Sequence, residues 1–338
     1  MEKVLLMGGA GFIGHNLALK LKKKKFKVYI VDFLKINNLM SLNKVNPQNR
    51  SLYKKILKER LSILKKNNIQ VIRFDCRNYK KVSQTIKKIN PNYIYHLAAV
   101  AHANISNKDP FSTFDHSFRT LENTLDASRS LKNLKRFVYI SSSMVYGNFK
   151  KQTVDEKDTC EPLGIYAALK FSGEKLVLAY NQVFNIPYNI IRPSALYGER
   201  CVSRRVVQVF IENALSGKEL VINDDGKEKL DFTNIEDLTN CMTTMLKKPK
   251  SKNQLFNITF GNSRTILELV NIIKKNIENV KVRSQKRDKL VPYRGTLSNQ
   301  KAKKIINFTP KINLEKGVQK LITWYKLNHI NEFKKRNQ

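Results

Sequence analysis

The stretch Lys3–Leu17, KVLLMGGAGFIGHNL, passes from a short apolar run through four glycines within seven residues (Gly8, Gly9, Gly11, Gly14) into a helical pattern. In most chains a glycine cluster between two periodic segments is only a turn, so its neighbours decide its meaning. Gly8, Gly11 and Gly14 follow a strand and open a helix. In that context missing side chains let backbone N–H groups and the helix N-terminus approach a pyrophosphate. About twenty residues on, the second apolar run, KVYIVD, ends in Asp32. Its carboxylate can accept hydrogen bonds from a ribose 2′-hydroxyl and would repel a 2′-phosphate, so NAD is expected rather than NADP.

Working outward, runs rich in Val, Ile and Tyr (KVLLM, KVYIVD, QVIRFD, NYIYHLA, RFVYISSS, PYNIIRP) alternate with helical patterns over 12–24, 79–89, 113–131 and 165–184. Such alternation predicts an α/β chain: a Rossmann-type doubly wound parallel sheet covered on both faces. The 35–67 segment is longer than a turn requires and should hold a helix from about 50 to 66. Past IIRPSALYG the pattern is less regular, with the short strands ELVIN and QLFNIT among helices at 203–215, 235–247, 265–277 and 315–328. The expected division is an NAD-binding domain over residues 1–192 with a returning segment near 229–250, and a smaller, mostly C-terminal substrate lobe formed by 193–228 and 251–332.

The 338 residues, 41% of them hydrophobic, suffice for a sizeable core and exclude wholesale disorder. No apolar run reaches eighteen residues, so no membrane span is expected. The N-terminal MEKVLLMGG has too short an apolar core for a signal peptide, which predicts a cytoplasmic protein. Cys76, Cys160, Cys201 and Cys241 show no C-x-x-C spacing and the five histidines no H-x-x-x-H pair, so neither disulfides nor a bound metal is expected. The formal charge of +36 is the loudest bulk feature. Its lysines are spread through helical stretches such as KLKKKKFK and IKKIN without interleaved aromatics, which reads as a solvated surface rather than a nucleic-acid site. A positive field also helps to draw in an anionic small substrate.

The second constellation is YISSSMVYG (139–147) followed by YAALK (166–170). Tyr166 and Lys170, four apart on a helix, share a face. A tyrosine with its ordinary pKa of about 10 is a poor base at neutral pH. A lysine ammonium and a positive nicotinamide ring beside it would stabilise the phenolate. Ser142, at the end of the preceding strand, would hydrogen-bond the substrate oxygen that gains and loses the proton. Alone, Tyr and Lys at i, i+4 are usually packing and surface; with the glycine loop, Asp32 and the serine strand in this order, they carry a mechanism.

In these segments the sequence resembles the extended short-chain dehydrogenase/reductase family, in its NAD-dependent nucleotide-sugar epimerase/dehydratase branch. The likeness runs through GGAGFIG (8–14), Asp32, FDCRN (74–78), HLAA (96–99), SSSMVYG (141–147), YAALK (166–170), RPSALYG (192–198), LDFTNIEDL (230–238) and NQKAKKIINFTPK (299–311). It implies a catalytic set of Ser142, Tyr166 and Lys170. It also implies a cofactor site of Gly8, Gly11, Phe12, Ile13, Gly14, Asp32, Asp75, Cys76, Leu97, Ala98 and Ala99, completed by Tyr166 and Lys170. A nucleoside-diphosphate sugar as substrate and a homodimer formed through the helices near 110–130 and 165–184 are implied as well, as is supply of an activated sugar to a surface polysaccharide or lipopolysaccharide.

Departures from the family pattern narrow the chemistry. Where a 4,6-dehydratase has Asp and Glu after the Ser/Thr, this chain has Ser143 and Met144, and a methionine neither donates nor abstracts a proton. Two readings remain: a 4-epimerase that regenerates its NAD within each turnover, favoured by Asp32, and a 4-keto-sugar reductase that consumes NAD(P)H. A non-catalytic Rossmann regulator would be expected to lack the Tyr or the Lys. The substrate-contacting asparagine of many relatives is Ala195, and the diphosphate-binding arginine before the DF pair is Leu230, next to Lys229. Arg204, Arg205, Arg287 and Arg294 could compensate, because guanidinium forks suit phosphate. Ser142, Ser143, Arg204 and Arg287 are taken as the substrate set. Asp155, Glu156, Asp158 and Glu161 read as solvated loop charges, and His96 as structural.

Overall fold

In the computed structural model, which describes residues 1–36, 38–44 and 46–334, seven parallel strands form one sheet in the order β12-β7-β5-β4-β1-β2-β3. They are β1 (Lys3–Met7), β2 (Lys27–Val31), β3 (Gln70–Ile72), β4 (Tyr93–His96), β5 (Arg136–Ile140), β7 (Tyr188–Arg192) and β12 (Gln254–Asn257). The helices are α1 (Phe12–Lys23), α2 (Pro47–Lys66), α3 (Tyr79–Ile89), α4 (Ala103–Lys108), α5 (Pro110–Phe114), α6 (Thr120–Ser128), α7 (Gly164–Phe184), α8 (Val206–Leu215), α9 (Ile235–Met245), α10 (Ile266–Lys274), α11 (Gln300–Ile306) and α12 (Leu314–Lys334). Four short strand pairs complete the chain: β6 (Thr153–Val154) with β15 (Thr296–Leu297), β8 (Leu196–Tyr197) with β11 (Thr233–Asn234), β9 (Leu220–Asn223) with β14 (Val282–Gln285), and β10 (Lys229–Leu230) with β13 (Arg264–Thr265).

The inner strands are buried on both faces, which is why they read as continuous apolar runs rather than alternating ones. One face packs residues such as Leu6, Ile30 and Tyr95 against Leu17 and Leu21 of α1, Leu238 and Met242 of α9, and Ala302 of α11. The other packs Leu5, Ile94 and Phe137 against Val82 and Ile86 of α3, Leu125 of α6 and Val177 of α7. A separate core joins α8, α10 and α12 into the smaller lobe, and α2 contributes Leu52, Tyr53, Ile56 and Leu57 to it.

The return to the sheet extends beyond the expected 229–250 segment. Gln254–Asn257, assigned above to the substrate lobe, pairs with β7 as an edge strand of the main sheet, and Ala302, Ile306 and Phe308 pack beneath the sheet. The single helix expected over 113–131 is instead α5 and α6 joined by a π-helical turn at Asp115–Arg119. His116 lies within that turn and lines the cleft described below.

Three buried side chains tie the sheet to α7. Arg192, at the end of β7, donates from Nε to Glu174 Oε1 at 2.9 Å and from Nη2 to Glu174 Oε2 at 2.6 Å. The Ser141 hydroxyl, at the end of β5, donates to the same carboxylate. Both members of the ion pair are almost fully buried. Removing one partner of such a pair strands a charge and costs about 3–5 kcal/mol. Arg192→Ala is therefore expected to lower the urea unfolding free energy by about that amount; a loss under 1 kcal/mol would show that Glu174 finds another partner.

Candidate active site

All seven strands end on one edge, and the loops there face the smaller lobe across a cleft of about 450 Å³. Gly8 has φ +79°, and a Cβ on it would lie 2.6 Å from the Ala98 nitrogen. A Cβ on Gly14 would lie 2.5 Å from the Gly9 Cα, so α1 packs against the loop only because Gly14 lacks a side chain. Asp32 accepts hydrogen bonds from the Ala10 N–H at 2.9 Å and the Leu34 N–H at 2.7 Å. Burial pushes its pKa up, and those two donors oppose the shift. Each carboxylate oxygen keeps a lone pair toward the cleft, which suits a ribose diol. The cradle and the carboxylate fit a dinucleotide.

Gly8, Gly11, Phe12, Ile13, Gly14, Asp32, Asp75, Cys76, Leu97, Ala98 and Ala99 all line this cleft, as do Ser142, Ser143, Tyr166 and Lys170. Asp75 is held by Arg77, whose Nη2 donates to Oδ2 at 2.8 Å. Among the described residues the lining carboxylates are Asp32, Asp75 and Glu228, and none adjoins Ser142, where Met144 lines the wall instead.

Ser142 caps the short turn Ser143–Tyr146, accepting from the Met144 N–H at 3.2 Å, so its hydroxyl proton stays available to a ligand. Lys170 is buried; its ammonium donates to the Ile140 carbonyl at 2.8 Å and lies 5.1 Å from the Tyr139 ring centroid. Burial pulls its pKa down to about 8, opposed by Glu174 one helical turn away and assisted by the positive charge of Arg205. His96 is buried against Phe137 and Tyr139, and burial, reinforced by Lys170, pushes its pKa down to about 3, so it is neutral and structural.

The arginines sort differently from the sequence expectation. Arg204 lines the cleft but is exposed, with its backbone in the left-handed region at φ +50°. Arg205, the N-cap residue of α8, has a buried Nε without a hydrogen-bond partner, and its charge lowers the pKa values of Lys170, His102 and Arg294. Its guanidinium therefore lies between the Tyr166–Lys170 end and the smaller lobe. Arg287 does not line the cleft: it donates to the carbonyls of Val291 at 3.0 Å and Pro292 at 2.8 Å and stacks on Tyr293 at 4.1 Å. Arg294 takes the lining place, with its Nε also unpartnered and Glu228 3.6 Å from its Nη2. Glu156, expected to be solvated, is half-buried and accepts from the Asn257 N–H at 2.8 Å, and burial pushes its pKa up. Among the described residues no group of three His, Cys, Asp or Glu could hold a metal ion.

The chain matches the NAD dependent epimerase/dehydratase family over residues 4–259 and belongs to it; its cofactor is NAD. It is 29% identical over 332 residues to a putative UDP-glucose 4-epimerase of Methanocaldococcus jannaschii, covering 96% of this chain and 99% of that one. It also resembles the crystal structure of UDP-glucuronic acid 4-epimerase from Bacillus cereus, in complex with UDP-glucuronic acid and NAD, at 27% identity and a TM-score of 0.83 over 96% and 99% of the two chains. The Thermotoga maritima UDP-glucose 4-epimerase, at 23% identity and a TM-score of 0.83, shares the fold.

Lys170 permits a test that separates function from stability. Its folded-state pKa lies below its unfolded value, so between about pH 8 and its ordinary value near 10.4 the unfolded chain holds more protons. Stability linked to this group therefore rises with pH across that window, and at pH 7 the buried charge costs stability. Lys170→Met is expected to lose about 10²–10⁴-fold in turnover while its melting temperature at pH 7 stays level or rises. A clear fall in melting temperature would mean that the ammonium stabilises the fold.

Proposed function

We propose that this enzyme inverts C4 of a nucleoside-diphosphate hexose, with a UDP-sugar as the substrate, by transient oxidation to the 4-ketone. The observation that carries this reading is an intact Ser142, Tyr166 and Lys170 set beside an apolar Met144, with no carboxylate adjoining Ser142 to drive elimination across C5 and C6. Gly8, Gly14, Asp32 and Lys170 would hold the cofactor, which when bound accepts and returns a hydride. Tyr166 takes the proton from the C4 hydroxyl and gives it back. Lys170 keeps that phenolate accessible by placing positive charge beside it, and Ser142 donates to the same oxygen so that it stays fixed as carbon changes between alcohol and ketone.

Arg205 and Arg294, rather than Arg204 and Arg287, are the proposed partners of the diphosphate, making up for Leu230. Two guanidiniums with unpartnered buried nitrogens are costly without an anion and suited to receive one. A homodimer belongs to this reading. Phe111 is 83% exposed and Val183 67%, with Phe114 and Phe184 also exposed, on the two helical segments expected to pair. Action in a reducing, cytoplasmic compartment is consistent with four free cysteines, three of them buried, and supply of an activated sugar for a surface polysaccharide or lipopolysaccharide belongs to the same reading.

The decisive assay offers UDP-, dTDP-, GDP- and CDP-hexoses and their 4-keto derivatives without added cofactor, then with NADH or NADPH, following products by NMR. Interconversion of C4 epimers without added cofactor is the expected outcome. Turnover of a keto sugar alone, and only with reduced cofactor, would make the enzyme a reductase. On the substrate so found, Arg205→Ala is expected to raise KM by about 10- to 100-fold with kcat little changed, whereas Arg287→Ala should stay within about twofold of wild type. The reverse ranking would return the diphosphate to Arg287.

A further inference from the structure

The edge of the sheet opposite the cleft carries an unusual charge distribution. Because all seven strands are parallel, the connections that lead into them lie side by side on one edge. Main-chain hydrogen bonds link neighbours there: the Lys27 N–H donates to the Glu2 carbonyl, the Asn92 N–H to that of Lys3, the Lys135 N–H to that of Asn92, and the Asn253 N–H to that of Tyr188. Five of these connections read KKKKFK (22–27), KKNNIQ (65–70), KKINPN (87–92), RSLKNLKR (129–136) and KKPKSKN (247–253). They hold seventeen lysines and arginines and no aspartate or glutamate. The sixth, NIPY (185–188), is uncharged. Among the described residues the acids paired to this edge are Glu2, next to β1 and bound to Lys135 at 2.7 Å, and Asp126, bound to Arg129 at 2.9 Å.

Compensation of helix dipoles accounts for basic residues in a last helical turn. It does not account for lysines beyond the last helical turn, such as Lys25, Lys27, Lys248 and Lys252, or for the missing acids. Apart from Arg129 and Lys135, no basic residue of the five connections has an ion-pair partner among the described residues. Their lysines are exposed except Lys248, which is partly so. With strands about 4.8 Å apart, the row is roughly 29 Å wide.

We propose that this edge is a docking face for the surface of a bilayer rich in anionic phospholipid. Lysine is a compact point charge on a flexible stem, suited to a diffuse layer of headgroup phosphates and carboxylates. Of the rings beside the row, Phe26 is buried and the exposed Phe184 is covered by the Arg129 guanidinium at 4.0 Å from its centroid, so neither offers an open face for base stacking. Attachment through these lysines is electrostatic, reversible by salt, and leaves the cleft on the far side open to substrate.

The test is sedimentation of the full-length protein with phosphatidylcholine vesicles, with and without phosphatidylserine, at 0.1 and 0.5 M salt. Binding only to the serine-containing vesicles and only at low salt is expected. The triple variant Lys23→Gln, Lys24→Gln, Lys25→Gln should bind roughly a hundredfold more weakly, at about fivefold per lysine. The control triple Lys274→Gln, Lys275→Gln, Lys281→Gln in the smaller lobe should bind within a few fold of wild type, and both should retain activity. Equal binding to the two vesicle types, or equal weakening by the two triples, would overturn the proposal. Retention on duplex DNA in preference to vesicles at matched phosphate concentration would also overturn it and assign the face to nucleic acid.

Discussion

Glu174 sits one helical turn beyond Lys170 and is gripped by Arg192, with Ser141 on the same carboxylate. That buried contact joins the helix carrying Tyr166 and Lys170 to the ends of β5 and β7, where Ser142 and the RPSALYG segment begin. Strands and helices supply a frame whose internal spacing is set by packing, but packing alone tolerates small slides of a helix along a sheet. A bidentate guanidinium–carboxylate pair does not, because both nitrogens must meet both oxygens. The relative position of serine, tyrosine and lysine thus rests on one charged contact that does no chemistry itself.

The same contact limits an electrostatic cost elsewhere. Lys170 is buried, hydrogen-bonded to the Ile140 carbonyl, and its pKa is already drawn down to about 8. The negative charge of Glu174 favours its protonated form, and without it burial and Arg205 would lower the pKa further. In the proposed mechanism the base that needs a neighbouring ammonium therefore depends on a carboxylate two steps away. The fold accepts a destabilising buried charge in the cleft and offsets it with a paired one behind.

Local spacing is legible in a sequence, and the parts of this site set by local spacing were readable: the glycine loop, Asp32 at the end of the second strand, and Tyr166 with Lys170 on one helical face. Parts decided by distant contacts were not. QLFN has the look of a short strand anywhere, and only its pairing with β7 places it in the main sheet. Arg204 and Arg205 are indistinguishable as letters and both line the cleft; the exposure of Arg204 and the buried, unpartnered Nε of Arg205 separate them only in the fold. Arg287 looked free, yet the carbonyls of Val291 and Pro292 occupy it, while Arg294 seven residues on faces the cleft. Glu156 looked solvated because nothing nearby in sequence reveals the Asn257 N–H that it meets.

The central claim is that hydrogen leaves C4 and returns to the same carbon within one enzyme molecule. It is tested most directly with a nucleotide hexose carrying deuterium at C4, incubated in ordinary water without added cofactor and analysed by NMR and mass spectrometry. The expected product is an epimer of inverted C4 configuration that keeps its deuterium at C4. Loss of the label to solvent would contradict it, as would a product formed only when reduced cofactor is supplied.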